Sequence, residues 1–345
     1  MNIFITGGAG FIGSNSADHF LGQGHQVTIF DNMSRVGTQA NLEWLYGRHG
    51  SEQLHVVTGD VRDYASLAEA IQGANTVLHL AGQVAVTLSV QNPREDFEIN
   101  ALGTFNVLEA VRNHCPEAAV LYASTNKVYG GLKDVEIVEQ ESRYAFADYP
   151  NGIPETYPLD FHSPYGCSKG AGDQYMVDYA RIYGLKTMVM RQSCIYGRRQ
   201  FGVEDQGWVA YFLIATVLGL PISIYGDGKG KQVRDLLHVS DLIHAYELGI
   251  NKIDTLRGEV FNLGGGPQNT FSIWAEFGPL IEELTGKSKT VTHSDWRSGD
   301  QLVFIADTQK AHELLGWQPK IAPIDGIHDL YHWVIENTNL FTHLM

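Results

Sequence analysis

The first thirty-one residues leave the chain few folds to choose from. Asn2–Thr6 is a short apolar run. Gly7-Gly8-Ala9-Gly10-Phe11-Ile12-Gly13 follows, and a helical pattern then runs to about Gly22. A second run, Gln26–Phe30, ends in Asp31. The order is strand, glycine turn, helix, strand, acid. The glycines permit a tight turn and let the backbone touch a pyrophosphate at the helix N-terminus, where free N–H groups and the helix dipole favour an anion. Asp31 lies eighteen residues past Gly13, where a carboxylate takes the hydroxyls of an adenosine ribose. A carboxylate there repels a 2′-phosphate, so the preferred dinucleotide is NAD rather than NADP. Arg35 is the counter-signal, because a nearby arginine can receive that phosphate.

The same rhythm continues. His55–Thr58 reads as a strand ending at Gly59-Asp60-Val61, and Asp60 is either a partner for the adenine amino group or the cap of a helix starting at Tyr64. Thr76–Leu80 is a strand with a small-residue exit, Ala81-Gly82-Gln83, that lets the backbone approach a cofactor; His79 within it packs in the core. Asn100 opens a helix to about His114 and is either its cap or a brace for the site. Ala119–Ala123 and Lys186–Arg191 are further strands. The expected architecture is α/β: a Rossmann-type doubly wound parallel sheet over residues 1–192, with a return near 236–262. A smaller α+β unit over 193–345 would mainly bind substrate. There the expected elements are a loop Cys194–Gln206, a helix Trp208–Leu218, a strand Ile222–Tyr225, and helices from Asp241, over Phe271–Gly286, Thr308–Leu315 and Ile324–Glu336.

Two features carry chemistry. Thr125 stands just past a parallel strand, at the ligand edge of the sheet. Tyr165 and Lys169 are four apart behind Pro164, which suits a helix start, so phenol and ammonium share one face. A neighbouring ammonium favours the phenolate. A tyrosine ordinarily titrates near 10 and a useful base near 7, so the pair and a cationic nicotinamide must together supply roughly 4 kcal/mol. The span from Lys133 to Phe161 is irregular, Pro-containing and aromatic-rich, and reads as an ordered loop over the site.

Charge removes other classes. The formal net charge is −15 and no basic run is present, which argues against nucleic acid and against an anionic membrane surface. An acidic protein that takes an anionic ligand must gather isolated cations. Three cysteines (Cys115, Cys167, Cys194) without metal spacing read as free thiols in a reducing cytosol, with no metal site, and Met1 leads straight into a strand without room for a signal peptide. The apolar stretch Gln206–Gly226 is long enough for a membrane span, but Gly219 and Pro221 break it.

With these residues in view the chain resembles the extended short-chain dehydrogenase/reductases, in particular the nucleotide-sugar epimerases and dehydratases. The resemblance rests on Thr6 to Gly13, Leu78 to Gly82, Val128-Tyr129-Gly130, Tyr165 with Lys169, Arg234-Asp235 with His238, and Arg297-Ser298-Gly299-Asp300. Phe30 to Arg35, Ser124 to Gly130, Asp160 to Lys169, Asp173 to Met176, Arg199 to Phe201 and Asp205 to Trp208 are similar to the subgroup of 2-epimerases acting on CDP-linked hexoses. The resemblance implies Thr125, Tyr165 and Lys169 as catalytic residues. It implies Gly7, Gly10, Phe11, Ile12, Gly13, Asp31, Asn32, Ser34, Arg35, Asp60, Val61, Leu80, Ala81, Gln83, Asn100, Tyr165 and Lys169 around a tightly held NAD. For the CDP-sugar it implies Thr125, Asn126, Arg199, Gln200, Gln206, Arg234 and Arg297, the last two on the diphosphate. It also implies a homodimer or homotetramer. Dehydratases of the group carry an Asp-Glu pair where this chain has Asn126-Lys127, so elimination lacks its proton carriers. A 4-epimerase, a 2-epimerase of the CDP-glucose/CDP-mannose type, a net reductase and a non-catalytic NAD sensor are the alternatives.

Overall fold

A computed structural model describes residues 1–297 and 299–344. The N-terminal elements are β1 (Asn2–Thr6), α1 (Phe11–Gly22), β2 (Gln26–Asp31), α2 (Thr38–His49), β3 (Leu54–Thr58), α3 (Tyr64–Ala70) and β4 (Thr76–His79). After β4 come α4 (Val86–Gln91), α5 (Pro93–Phe97), a π-helical turn Glu98–Leu102, α6 (Gly103–His114) and β5 (Ala119–Thr125). A small hairpin, β6 (Ile137–Glu139) with β7 (Tyr144–Phe146), lies inside the irregular span before α7 (Ser163–Tyr183) and β8 (Lys186–Gln192).

Seven strands form one parallel sheet. From β1 the chain steps outward through β2 to β3 on one side, and through β4, β5 and β8 on the other. The direction reverses at β1, and ligands of such sheets lie beyond the strand ends at that point. The seventh strand, β12 (Val260–Leu263), arrives late and pairs with β8. Fully apolar runs such as Ile3-Phe4-Ile5 are buried because helices cover both faces. At the reversal Gly7 has φ +68, and a Cβ on Gly13 would lie 2.3 Å from the Gly7 carbonyl oxygen. No side chain fits between turn and helix.

Beyond β8 lie β9 (Cys194–Tyr196), α8 (Trp208–Leu218), β10 (Ile222–Tyr225), β11 (Val233–His238) and α9 (Val239–Leu256). β13 (Thr270–Ser272), α10 (Phe277–Thr285), β14 (Val291–Ser294), β15 (Val303–Phe304) and α11 (Pro323–Glu336) complete the chain, with β12 between α9 and β13. β9, β13 and β15 gather on β11, and β10 pairs with β14. α8, α10 and α11 cover them with a separate apolar core that includes Phe212, Phe277 and Trp333. That core explains the uncharged stretch around α8, and among the described residues no helix is long and apolar enough to cross a membrane.

Five local expectations change. Phe271–Gly286 is not one helix: Thr270–Ser272 pairs antiparallel with β11, and the helix starts at Phe277. The loop from Cys194 contains β9, which pairs with β11. The helix expected from Asp241 begins at Val239, where the His238 ring accepts from Ser240 N. Helix from Asn100 gives way to a π-helical turn, as does most of Thr308–Leu315, where Ala311–Leu315 is π-helical.

Candidate active site

Two cavities open at the strand ends, and Tyr165 is on the wall of both. The first, about 640 Å³, starts at the glycine turn. Gly10 caps α1 without a side-chain bond and the first turn has no acid, so the N–H groups of Phe11, Ile12 and Gly13 point at the cavity unopposed. At the far end of β2 the Asp31 carboxylate is fixed by Ala9 N at 3.0 Å and Met33 N at 2.8 Å. Asn32, Ser34, Arg35, Asp60 and Val61 line the same end. Asp60 does not cap α3, which corrects one of its two readings. Asp63 does that, accepting from Ala65 N and Ser66 N. Asp60 instead pairs with Arg62 at 2.7 Å and accepts from Asn32 at 2.9 Å, and the guanidinium bonds hold its carboxyl far below the usual range.

Leu80, Ala81 and Gln83 form the inner wall with Lys169. Asn100 lines neither of these two cavities. Its Oδ1 accepts from Gln83 N at 2.9 Å and its Nδ2 donates to Gln83 O at 3.0 Å, so it braces that wall from behind and caps nothing. His79 is fully buried between the Thr6 and Thr104 hydroxyls, and burial pushes it down to about 3.

On α7 the local spacing sets Tyr165 and Lys169 on one face, but the ammonium is aimed elsewhere. Lys169 Nζ donates to Ala123 O at 2.5 Å and lies 4.2 Å from the centre of the Tyr122 ring. Burial pushes the phenol of Tyr165 up to about 12, opposed by the Thr125 hydroxyl. It pulls Lys169 down to about 7, opposed by Asp173 and Asp96. Among the protein's own groups desolvation dominates and Lys169 does not offset it, so of the expected joint action of Lys169 and a cationic nicotinamide the lysine supplies little.

The second cavity, about 350 Å³, is lined by Thr125, Asn126, Gln200, Gln206, Arg234 and Arg297. Thr125 Oγ1 accepts from Lys127 N at 3.2 Å. Asn126 donates to Gln301 at 3.4 Å. Arg234 is buried, donating to Asp300 at 2.6 Å and to Gln301 O at 2.7 Å. The Arg297 guanidinium lies 3.6 Å over the Tyr225 ring and 3.0 Å from Asp205. Ser298, inside that motif, lies outside the described residues. Gln200 donates to Ile195 O, and Gln206 accepts from Arg35 at 2.7 Å, which joins the two cavities. Arg199 departs from its expected place: it stacks on Trp44 at 4.3 Å and lines the first cavity, not the second.

Sequence reasoning left Lys127, Asp300 and Asp96 unassigned. Lys127 Nζ donates to Gly299 O at 3.0 Å and lies 3.6 Å from Asp300, so it ties the turn after β5 to the Arg297 segment. Nothing local announces a partner 172 residues away. Asp96 did carry a signal, its spacing of four from Asn100. Among the described residues no cluster of three or more His, Cys, Asp or Glu is placed to hold a metal ion.

Comparison with known proteins places this arrangement. Residues 4–330 match the family described as GDP-mannose 4,6 dehydratase. The chain is 45% identical to CDP-paratose 2-epimerase of Salmonella typhi, over 96% of this chain and 99% of that protein. It is 31% identical to a putative UDP-glucose 4-epimerase of Methanocaldococcus jannaschii, over 97% and 99%. The UDP-glucose 4-epimerase of Thermotoga maritima, solved with UDP-glucose, superposes with a TM-score of 0.82 at 30% identity, covering 98% of this chain and 100% of that one. The dTDP-glucose 4,6-dehydratase DesIV of Streptomyces venezuelae, solved with NAD, gives 0.84 at 26% identity, with full coverage of both at 100%.

Proposed function

This chain belongs to the GDP-mannose 4,6-dehydratase family, the nucleotide-sugar epimerases and dehydratases of the extended short-chain dehydrogenases, and we propose that within it the chain is an NAD-dependent epimerase inverting C2 of a CDP-linked hexose. The pair interconverted is CDP-paratose and CDP-tyvelose. The observation that carries the reading is the shared wall: one buried phenol, Tyr165, faces both the cavity that begins at the glycine turn and a cavity lined by Lys127, Arg234 and Arg297 with their paired acids.

The first cavity fits NAD. Its glycine turn admits no Cβ at Gly7 or Gly13, the uncapped start of α1 suits a pyrophosphate, and Asp31 suits ribose hydroxyls. Gly7, Gly10 and Gly13 would hold the phosphates, Asp31 and Asn32 the adenosine, and Tyr165 with Lys169 the nicotinamide ribose. Bound there, NAD supplies the hydride acceptor and donor for the sugar carbon, and no net oxidation results. Tyr165 takes the C2 hydroxyl proton and returns it, with the Thr125 hydroxyl holding the same oxygen. Lys169, held on Ala123 O, would serve the nicotinamide ribose rather than the phenol directly. Arg234 and Arg297, with Lys127 nearby, supply the local cations that an acidic chain needs for a diphosphate. Asn126 and Lys127 carry no carboxylate, which disfavours elimination of water.

The same proposal divides the chain into a dinucleotide unit, 1–192 with a return near 236–262, and a mainly nucleotide-sugar unit over 193–345. It makes the protein a cytosolic homodimer or homotetramer. Phe97, Leu102, Phe105, Tyr175, Ile182 and Tyr183 are exposed apolar groups on α5, the π-helical turn, α6 and α7, and a second copy would cover them.

The test is NMR of CDP-tyvelose deuterated at C2, incubated with purified protein. Appearance of the paratose isomer with the label still at C2 is expected. Loss of the label to solvent, inversion at C4, or steady consumption of added NADH would each replace the proposal.

A further inference from the structure

Asp96 is 1% exposed and reaches neither cavity. Its Oδ1 accepts from Gln83 Nε2 at 2.9 Å and from Asn100 Nδ2 at 3.1 Å, and its Oδ2 accepts from Ser168 Oγ at 2.6 Å. All three donors are neutral. Burial pushes the Asp96 carboxyl up, and these hydrogen bonds together with a nearby cation oppose that, so its charge depends on what stands beside it. The π-helical turn Glu98–Leu102 follows directly on the helix that carries Asp96. A widened turn of this kind recurs at functional sites, and here it leaves Asp96 and Asn100 meeting on the same partners, Gln83 and Ser168.

The cation that answers is next door in sequence to Ser168. Lys169 is surrounded by the Tyr122 ring, Ala123 O, Asp173 on its own helix, a neutral His79 on β4, and Asp96. Burial drives the ammonium toward its neutral form, and the two carboxylates oppose that. Tyr165 faces Thr125, which favours its phenolate, and Asp96, which disfavours it.

We propose that Asp96 is a positioning residue for the Tyr165–Lys169 pair. Its carboxylate ties the Gln83 wall after β4 to Ser168 on α7, and it stands as a fixed negative charge behind the ammonium. Asp96 thereby sets the pH window in which lysine is charged and tyrosine can give up its proton. The inference rests on reading that pair as the proton carriers. Removing the charge lowers the titration of both groups, so the window moves toward acid.

The experiment uses NAD-loaded protein: wild type, Asp96→Asn, Tyr165→Phe and the double variant. The ultraviolet phenolate titration lost in Tyr165→Phe belongs to Tyr165. In Asp96→Asn its midpoint falls by about half a pH unit or more, and the pH profile of kcat shifts the same way while KM for the CDP-sugar stays within about twofold. An unchanged midpoint overturns the proposal. If Asp96→Asn does not fold, Ser168→Ala takes its place. It removes the Oδ2 donor and lowers kcat without raising KM, and Ser168→Thr restores it; wild-type kcat in Ser168→Ala overturns the proposal. The titration needs no sugar, so a failed epimerase assignment would appear as absent turnover with the midpoint shift intact.

Discussion

Tyr165 is 8% exposed, and its burial works against the charge that the proposed base would carry. Among the described residues only the Thr125 hydroxyl favours the phenolate, so in the proposed mechanism the remaining help comes with the bound dinucleotide. The Tyr165→Phe variant is expected to retain NAD, read from the absorbance of dinucleotide released on denaturation, and to lose about 10²- to 10⁴-fold in turnover. Unchanged turnover would remove the base assignment. Thr125→Ser should stay close to wild type and Thr125→Val should lose kcat, since only the hydroxyl is used. The type and spacing of Tyr165 and Lys169 were legible because four residues along a helix is a local relation. The aim of Lys169 was not, because Ala123 O and the Tyr122 ring reach it from another element.

At the level of elements, the turn into α1 and the end of β4 bear most of the site. A methyl on Gly13 must separate turn from helix, since its Cβ would stand 2.3 Å from Gly7 O and 2.6 Å from Gly8 Cα. Gly13→Ala is expected to cost about 1–3 kcal/mol in urea unfolding and to weaken NADH binding, read by its fluorescence. His79 makes β4 acid-sensitive. It titrates near 3 in the fold against 6.5 ordinarily, so below 6.5 the unfolded chain takes up a proton that the folded chain refuses. Stability therefore falls as pH drops from 6.5 toward 3, by about 2 kcal/mol at about pH 5 from this residue alone. Urea unfolding at neutral pH and near pH 5 should show that slope, and His79→Phe should flatten it. An equal slope in both proteins would contradict the assignment. The strands of the main sheet were readable as apolar runs between turn residues. β13 was not: three residues take strand form because β11 offers them an open edge, and nothing in Thr270–Ser272 itself outweighs the helical pattern that follows.

Over the whole molecule a net charge of −15 coexists with a cavity holding Lys127, Arg234 and Arg297. These cations are each matched by a nearby acid, Asp300 or Asp205, so the local field is held ready without an exposed basic patch. The apolar surface on α6 and α7 makes a prediction at this scale. Ile182, 63% exposed, changed to Glu together with Phe105→Glu should give a monomer in sedimentation velocity while the fold melts near the wild-type temperature. A wild type that is already monomeric would refute the homo-oligomer. The chain order by itself determined the doubly wound sheet, the cofactor turn and the shared helix face of Tyr165 and Lys169, because strand runs, a glycine turn and a helical spacing are all relations among near neighbours. Only the tertiary structure decided that Arg199 belongs to the first cavity, that Asn100 is a brace, that Lys127 holds the segment around Gly299, and that Asp96 stands behind Lys169. Those are contacts between residues far apart in the chain, and a contact of that kind exists only once the sheet has brought its loops to one edge.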